Sequence, residues 1–98
     1  MKVWLDDERP MPEGYDQHVR TAAEAIALLV GERVGLISLD HDLGEDQNGS
    51  GYDVATFIEQ AAYNGTLPPI EVRIHSANPV GRVRMEHAIA RAQEFWIR

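Results

Sequence analysis

Apolar residues along this chain fall into short unbroken runs, separated by longer stretches that repeat with helical spacing. Val3-Trp4-Leu5 is one run, stopped by Asp6-Asp7-Glu8-Arg9. Leu36-Ile37-Ser38-Leu39 is another, giving way to Asp40-His41-Asp42-Leu43-Gly44. Runs without alternation are what strands buried on both faces show. Ile70-Glu71-Val72-Arg73-Ile74-His75-Ser76 alternates instead, as a strand with one wetter face does. His18-Val19-Arg20 predicts a further short strand, and Phe95-Trp96-Ile97-Arg98 reads as a last one.

The intervening stretches predict helices with identifiable ends. Thr21 and Glu24 have capping-box spacing, Ala25, Ile26, Leu28 and Leu29 give an apolar side, and Gly31 stops the helix. From Tyr52 to Tyr63, Val54, Phe57, Ile58, Ala61 and Ala62 follow the 3.6-residue period, and Asn64-Gly65 ends it. Asn78 and Pro79 make a cap and a first helical position. Met85, Ala88, Ile89 and Ala92 form the buried stripe of that third helix, leaving His87 on the surface. Pro10, Pro12 and Gly14 make residues 9–15 a loop, too short and too broken for a helical crossover. Residues 44–51 form a polar, glycine-bearing loop, expected to be a mobile rim; without a lysine it is not a P-loop. The order β-β-α-β-α-β-α-β predicts one α/β domain over residues 1–98, with a mostly parallel five-stranded sheet and helices on its faces.

Composition narrows the function. A net charge of −7 argues against a broad nucleic-acid surface, while leaving room for one nucleotide or RNA end in a local basic pocket. With no cysteine, disulfides, zinc thiolates and thiol nucleophiles are excluded. No apolar run approaches the ~20 residues of a membrane span. Met1-Lys2-Val3-Trp4 starts a strand and not a signal peptide, so a cytoplasmic location is expected. Lys2 is the only lysine; the other basic residues are arginines, whose planar fork suits phosphate or carboxylate.

The chemistry gathers at strand ends. In an open parallel sheet the carboxyl ends of the strands border the crevice where ligands bind. Three acids in a row at Asp6-Asp7-Glu8 repel one another unless a cation or an arginine such as Arg9 sits among them. Asp40, His41 and Asp42 follow the second apolar run, and His75-Ser76 the alternating one. The helix start at Asn78, with Gly81, Arg82 and Arg84 in its first turns, is a credible anion site.

The acidic pair Asp6-Asp7, Asp40 and Ser76 at three strand ends resemble response-regulator receiver domains, in which such acids bind magnesium and the aspartate matching Asp40 accepts a phosphoryl group. The chain departs from them in having a loop at residues 9–15 where the first helix belongs. It also adds His41, Asp42 and His75, has only Arg98 near the usual lysine position, and lacks a final helix. With Leu5-Asp6-Asp7-Glu8-Arg9, Leu39-Asp40-His41-Asp42-Leu43-Gly44, Gly51-Tyr52-Asp53 and His75-Ser76-Ala77-Asn78-Pro79-Val80-Gly81, it is more similar to cyclic-phosphate processing receiver domains. That resemblance implies a receiver-like (flavodoxin-like) sheet in the order 2-1-3-4-5, without the first and last helices, and action on nucleotide or RNA cyclic phosphates.

Opening a 2′,3′-cyclic phosphate takes one group to activate water and another to protonate the leaving oxygen. His41 and His75 suit both tasks, with Asp42 orienting an imidazole. Asp6, Asp7 and Asp40 would hold Mg²⁺ or Mn²⁺, and Arg9, Ser76, Asn78, Gly81 and Arg82 would receive the phosphate. The expected activity is thus a metal-assisted cyclic phosphodiesterase with Asp40 in its catalytic set. The alternatives are a signalling module phosphorylated on Asp40 and a protein that binds a cyclic nucleotide without turnover.

Overall fold

The computed structural model describes residues 1–98. In chain order it contains β1 (Lys2–Leu5), β2 (Gln17–Val19), α1 (Ala22–Gly31), β3 (Leu36–Leu39), α2 (Gly51–Asn64), β4 (Glu71–Ile74) and α3 (Pro79–Trp96). A single 3-10 turn, Asp46–Asn48, lies between β3 and α2. The sheet has four strands in the order β2-β1-β3-β4, and every pairing is parallel. No helix forms between Asp7 and Asp16, as the two prolines and Gly14 require.

The expected fifth strand is absent. Phe95 and Trp96 continue α3, which is 18 residues long. They stand three and four positions after buried Ala92, so they extend the same stripe, and no glycine or proline intervenes. Phe95 meets the Tyr63 ring edge-on with centroids 5.2 Å apart, and the Trp96 indole N–H donates to the Leu67 carbonyl at 2.8 Å. Burial of two large rings against α2 and the segment after it decides for helix. The sheet therefore ends at β4.

The helix ends follow local chemistry. Thr21 Oγ1 accepts from the Glu24 amide at 3.2 Å, although Glu24 reaches back to the amide of Arg20. Ser50 and Asp53 form a full reciprocal capping box at the start of α2, and Gly65 closes that helix in the left-handed conformation, φ 74°. Asn78 caps α3, with Pro79 in its first turn.

Alternation along the strands assigns the two sheet faces. Val3, Leu5, Val19, Ile37 and Leu39 share one face and are buried in a single cluster with Ala25, Leu29, Val54, Ile58, Met85 and Ala88. Truncating a fully buried member such as Leu39 to alanine costs about 2–5 kcal/mol. All three helices contribute to that cluster and pack side by side, α1 on α2 and α2 on α3. The register places Lys2, Trp4, Leu36, Ser38, Glu71 and Arg73 on the opposite face. That face carries no helix.

Handedness accounts for this one-sided packing. The connections from β2 to β3 and from β3 to β4 step across the sheet in one direction, and that from β1 to β2 steps in the other. Right-handed crossovers then put α1 and α2 on one side and the β1–β2 loop on the other. Tyr15 of that loop meets Trp4 edge-on, centroids 5.2 Å apart, and the Trp4 indole N–H donates to the Arg9 carbonyl at 3.3 Å. The helices expected on the sheet's faces thus lie on one face alone. No helix is long and apolar enough to cross a membrane.

Candidate functional site

Backbone pairing runs one residue past the apolar runs and so fixes the acids. The Asp6 amide donates to Val19 and the Asp40 amide to Leu5, each at 3.1 Å, and the His75 amide donates to Leu39 at 3.0 Å. Three strand ends thus meet at the carboxyl edge. The amide of Gly51 donates to the His41 carbonyl at 2.9 Å, and a Cβ at Gly51 would overlap the Asp40 carbonyl oxygen. Only glycine lets α2 begin this close to β3.

Asp6 is fully buried and saturated. Its Oδ1 accepts from the amides of Glu8 and Arg9, both at 2.8 Å; its Oδ2 accepts from His75 Nε2 at 3.0 Å and Arg9 Nη1 at 3.2 Å. Burial pushes this carboxyl up, but the two amides and His75 outweigh it and hold it below the usual carboxylate range. Asp40 goes the other way: burial and the charge of Asp6 push it up, against the His41 amide (2.8 Å to Oδ1) and Arg9 (3.8 Å). Asp7 completes the group. One carboxylate oxygen from each of Asp6, Asp7 and Asp40 lies within 4.8 Å of the others, the spacing a hard cation needs.

These acids line a cavity of about 480 Å³ together with Glu8, Arg9, Asp42, Gly44 and Ala77. A second cavity of about 430 Å³ adjoins it, sharing Asp42 and Gly44 and including His41, Ser50 and Asp53. The polar loop expected at the rim lines this second cavity and carries bonds of its own. Asp42 and Ser50 form an antiparallel bridge, and Asn48 donates to the Leu43 carbonyl at 2.8 Å.

The two histidines do not share a cavity. His41 lines the second, with Nδ1 2.9 Å from Asp42 Oδ1. Its ring packs where a Cβ of Gly81 would be, so Gly81 makes room for the imidazole. That hydrogen bond holds Asp42 below the usual carboxylate range, with help from Asn78 Nδ2 at 3.3 Å. If Nδ1 carries the proton for Asp42, Nε2 is left as the free acceptor. His75 lines neither cavity. Its ring lies on Trp4, centroids 3.8 Å apart and 6° from parallel, with Nδ1 2.7 Å from Ser38 Oγ. Since Asp6 is ionised and can only accept, His75 Nε2 carries the proton and the Ser38 hydroxyl donates to Nδ1. Burial holds His75 below its ordinary value, against the pull of Asp6, so the ring is neutral at pH 7.

The residues expected to receive phosphate are mostly occupied elsewhere. The Ser76 hydroxyl accepts from the Asn78 amide at 3.1 Å, and Asn78 Oδ1 accepts from the Gly81 amide at 3.0 Å. Arg82 lies 3.7 Å from Glu86 on its own helix, and Arg84 stacks over the Tyr52 ring, 4.3 Å from its centroid. Of that set, only Arg9 lines the first cavity. Ser38 and Trp4 hold His75 in place, and the reading of the sequence gave neither that part. Ser38 is the single polar residue in its run, and that was its signal.

A parallel sheet in the order β2-β1-β3-β4, with carboxylates grouped at its carboxyl edge, defines a receiver-like α/β domain. Residues 1–91 match the family described as the cyclic-phosphate processing receiver domain, and the chain belongs to that family. No significant match was found among curated proteins or solved structures.

Proposed function

We propose that this domain opens a 2′,3′-cyclic phosphate on a nucleotide or an RNA end, as a metal-assisted phosphoesterase. The observation that carries the reading is that the cavity lined by Asp6, Asp7 and Asp40 shares Asp42 with the adjoining cavity, where Asp42 holds His41. A cavity with five acidic side chains and one arginine repels a phosphate unless a cation enters first. The elevated Asp40 fits that need, as does the all-oxygen donor set. A bound Mg²⁺ or Mn²⁺ would withdraw charge from the phosphate oxygens.

The chain's own groups supply the rest. Asp42 holds His41 so that Nε2 takes a proton from the attacking water as the new P–O bond forms. The bond from phosphorus to one ribose oxygen breaks, and that oxygen gains a proton from solvent. Arg9, half exposed, swings from Asp6 toward the phosphate once the carboxylates are neutralised. His75 enters as a positioning group, because both ring nitrogens are already engaged and burial keeps it neutral. It holds Asp6 in place.

The test is incubation with 2′,3′-cyclic nucleotides and with RNA bearing that end, with and without Mg²⁺ or Mn²⁺. Metal-dependent conversion to the monoester is expected, and His41→Ala should lower turnover by roughly 10²–10⁴-fold. Calorimetric metal affinity should fall in Asp7→Asn. Tight binding of the cyclic phosphate without turnover under either metal would favour sequestration. A stable phosphoryl adduct on Asp40 from small phosphodonors would favour signalling.

A further inference from the structure

The sheet stops at β4, and the outer edge of that strand is unpaired. The amides of Glu71 and His75 point to β3, donating to the carbonyls of Gly35 and Leu39. Alternation then turns the N–H and C=O groups of Ile70, Val72 and Ile74 outward. An open edge of this kind is a template for another strand.

The residues on it read Ile70-Glu71-Val72-Arg73-Ile74, symmetric about Val72 in its apolar positions and opposite in charge at 71 and 73. We propose that this edge is a self-association surface whose partner is a second copy of the chain. The two β4 strands pair antiparallel about a two-fold axis through Val72. Val72 of one copy then exchanges backbone hydrogen bonds with Val72 of the other, and Ile70 does so with Ile74. Glu71 of one copy faces Arg73 of the other, twice over. Such an interface is isologous, the form that closes a dimer.

Charge selects this occupant. Charged side chains usually protect an edge, because like charges meet when a second copy approaches. Here the two exposed charges are opposite and already bonded within the strand, Arg73 Nε to Glu71 Oε2 at 2.8 Å. Antiparallel pairing exchanges that contact for two cross-strand pairs of the same kind. The prolines set the limits: Pro68 has no N–H on the outward side, so the ladder spans residues 70–74 and no further. Both Glu71 and Arg73 lie on the helix-free face, and a two-fold axis perpendicular to the sheet keeps all helices of the pair on the other. A ladder this short is a small interface, so association is expected in the micromolar-to-millimolar range.

Sedimentation equilibrium of the full chain over that concentration range tests the proposal. The parent should show a monomer–dimer equilibrium. Arg73→Glu sets like charges opposite each other and should raise the dissociation constant by about tenfold or more. Glu71→Arg combined with Arg73→Glu should restore it. Val72→Pro should abolish the dimer with the circular dichroism spectrum unchanged, since proline is tolerated where an edge N–H faces solvent. Should that variant misfold, Arg73→Glu decides, because Arg73 is exposed and its replacement leaves the core intact. A parent monomeric at every concentration, or a dimer that Arg73→Glu leaves unweakened, overturns the proposal.

Discussion

His75 shows how a side chain can be placed correctly along the chain while its surroundings stay hidden. The sequence puts it after a strand, beside Ser76 and near the acids, where an acid or base is expected to stand free and contribute little to folding. The fold instead holds it, partly buried, between Trp4, Ser38 and Asp6. His75→Ala removes an aromatic stack and leaves the Ser38 hydroxyl, 2% exposed, without a partner. A loss of about 2–4 kcal/mol in urea denaturation is expected. Turnover per folded molecule should fall far less than in His41→Ala. The direction a strand residue faces depends on register against strands distant in sequence, and only pairing of β1, β3 and β4 puts Trp4, Ser38 and His75 on one side. The acids were easier to read, because three strand ends on one sheet edge converge whatever their side chains do next.

At the level of elements, α3 does two jobs that its sequence showed unequally. Its cap at Asn78 and its stripe from Met85 to Ala92 were legible, since both rest on local spacing. Its length was not. Phe95-Trp96-Ile97 has the composition of a strand, and only the presence of Tyr63 and Leu67 nearby shows that helical spacing wins. The other job is to seat His41 against Gly81. Gly81→Ala should leave helix content unchanged and lower turnover by about a hundredfold, because a displaced imidazole no longer meets the attacking water in line. Circular dichroism and the cyclic-phosphate assay together check this. A variant with normal turnover would show that the ring can shift without consequence.

The whole molecule is a two-layer structure, one sheet covered by helices on one face. Its accessible surface, 5682 Å², is close to the ~5,600 Å² of a folded chain of this mass, so a loop has replaced a layer without loosening the fold. The acid response of stability follows from the groups at the sheet edge. His75 is held below its ordinary value by burial, so the unfolded chain binds its proton more readily. Its contribution is complete above about pH 6.5 and is lost as pH falls from there through the folded value. Asp6, where hydrogen bonds outweigh burial, contributes above the ordinary aspartate range and loses it at lower pH. Asp40, raised by burial and Asp6, does the reverse: its contribution is present in acid and lost as pH rises through its folded value. The urea midpoint should therefore lose the His75 contribution as pH falls below about 6.5, and His75→Ala should remove that part of the slope.

The stack of Trp4 on His75 also makes the domain its own optical gauge. An imidazolium against an excited indole accepts an electron from it, and a neutral ring does so far less readily. Emission from Trp4 is thus coupled to the proton on His75, and through Nε2 to the charge on Asp6. Trp96 of α3, the second tryptophan, is tied to Leu67 in the segment after α2, and replacing it with phenylalanine isolates the signal. Light from a single native residue then reports the electrostatic state of the acidic edge, with no label attached.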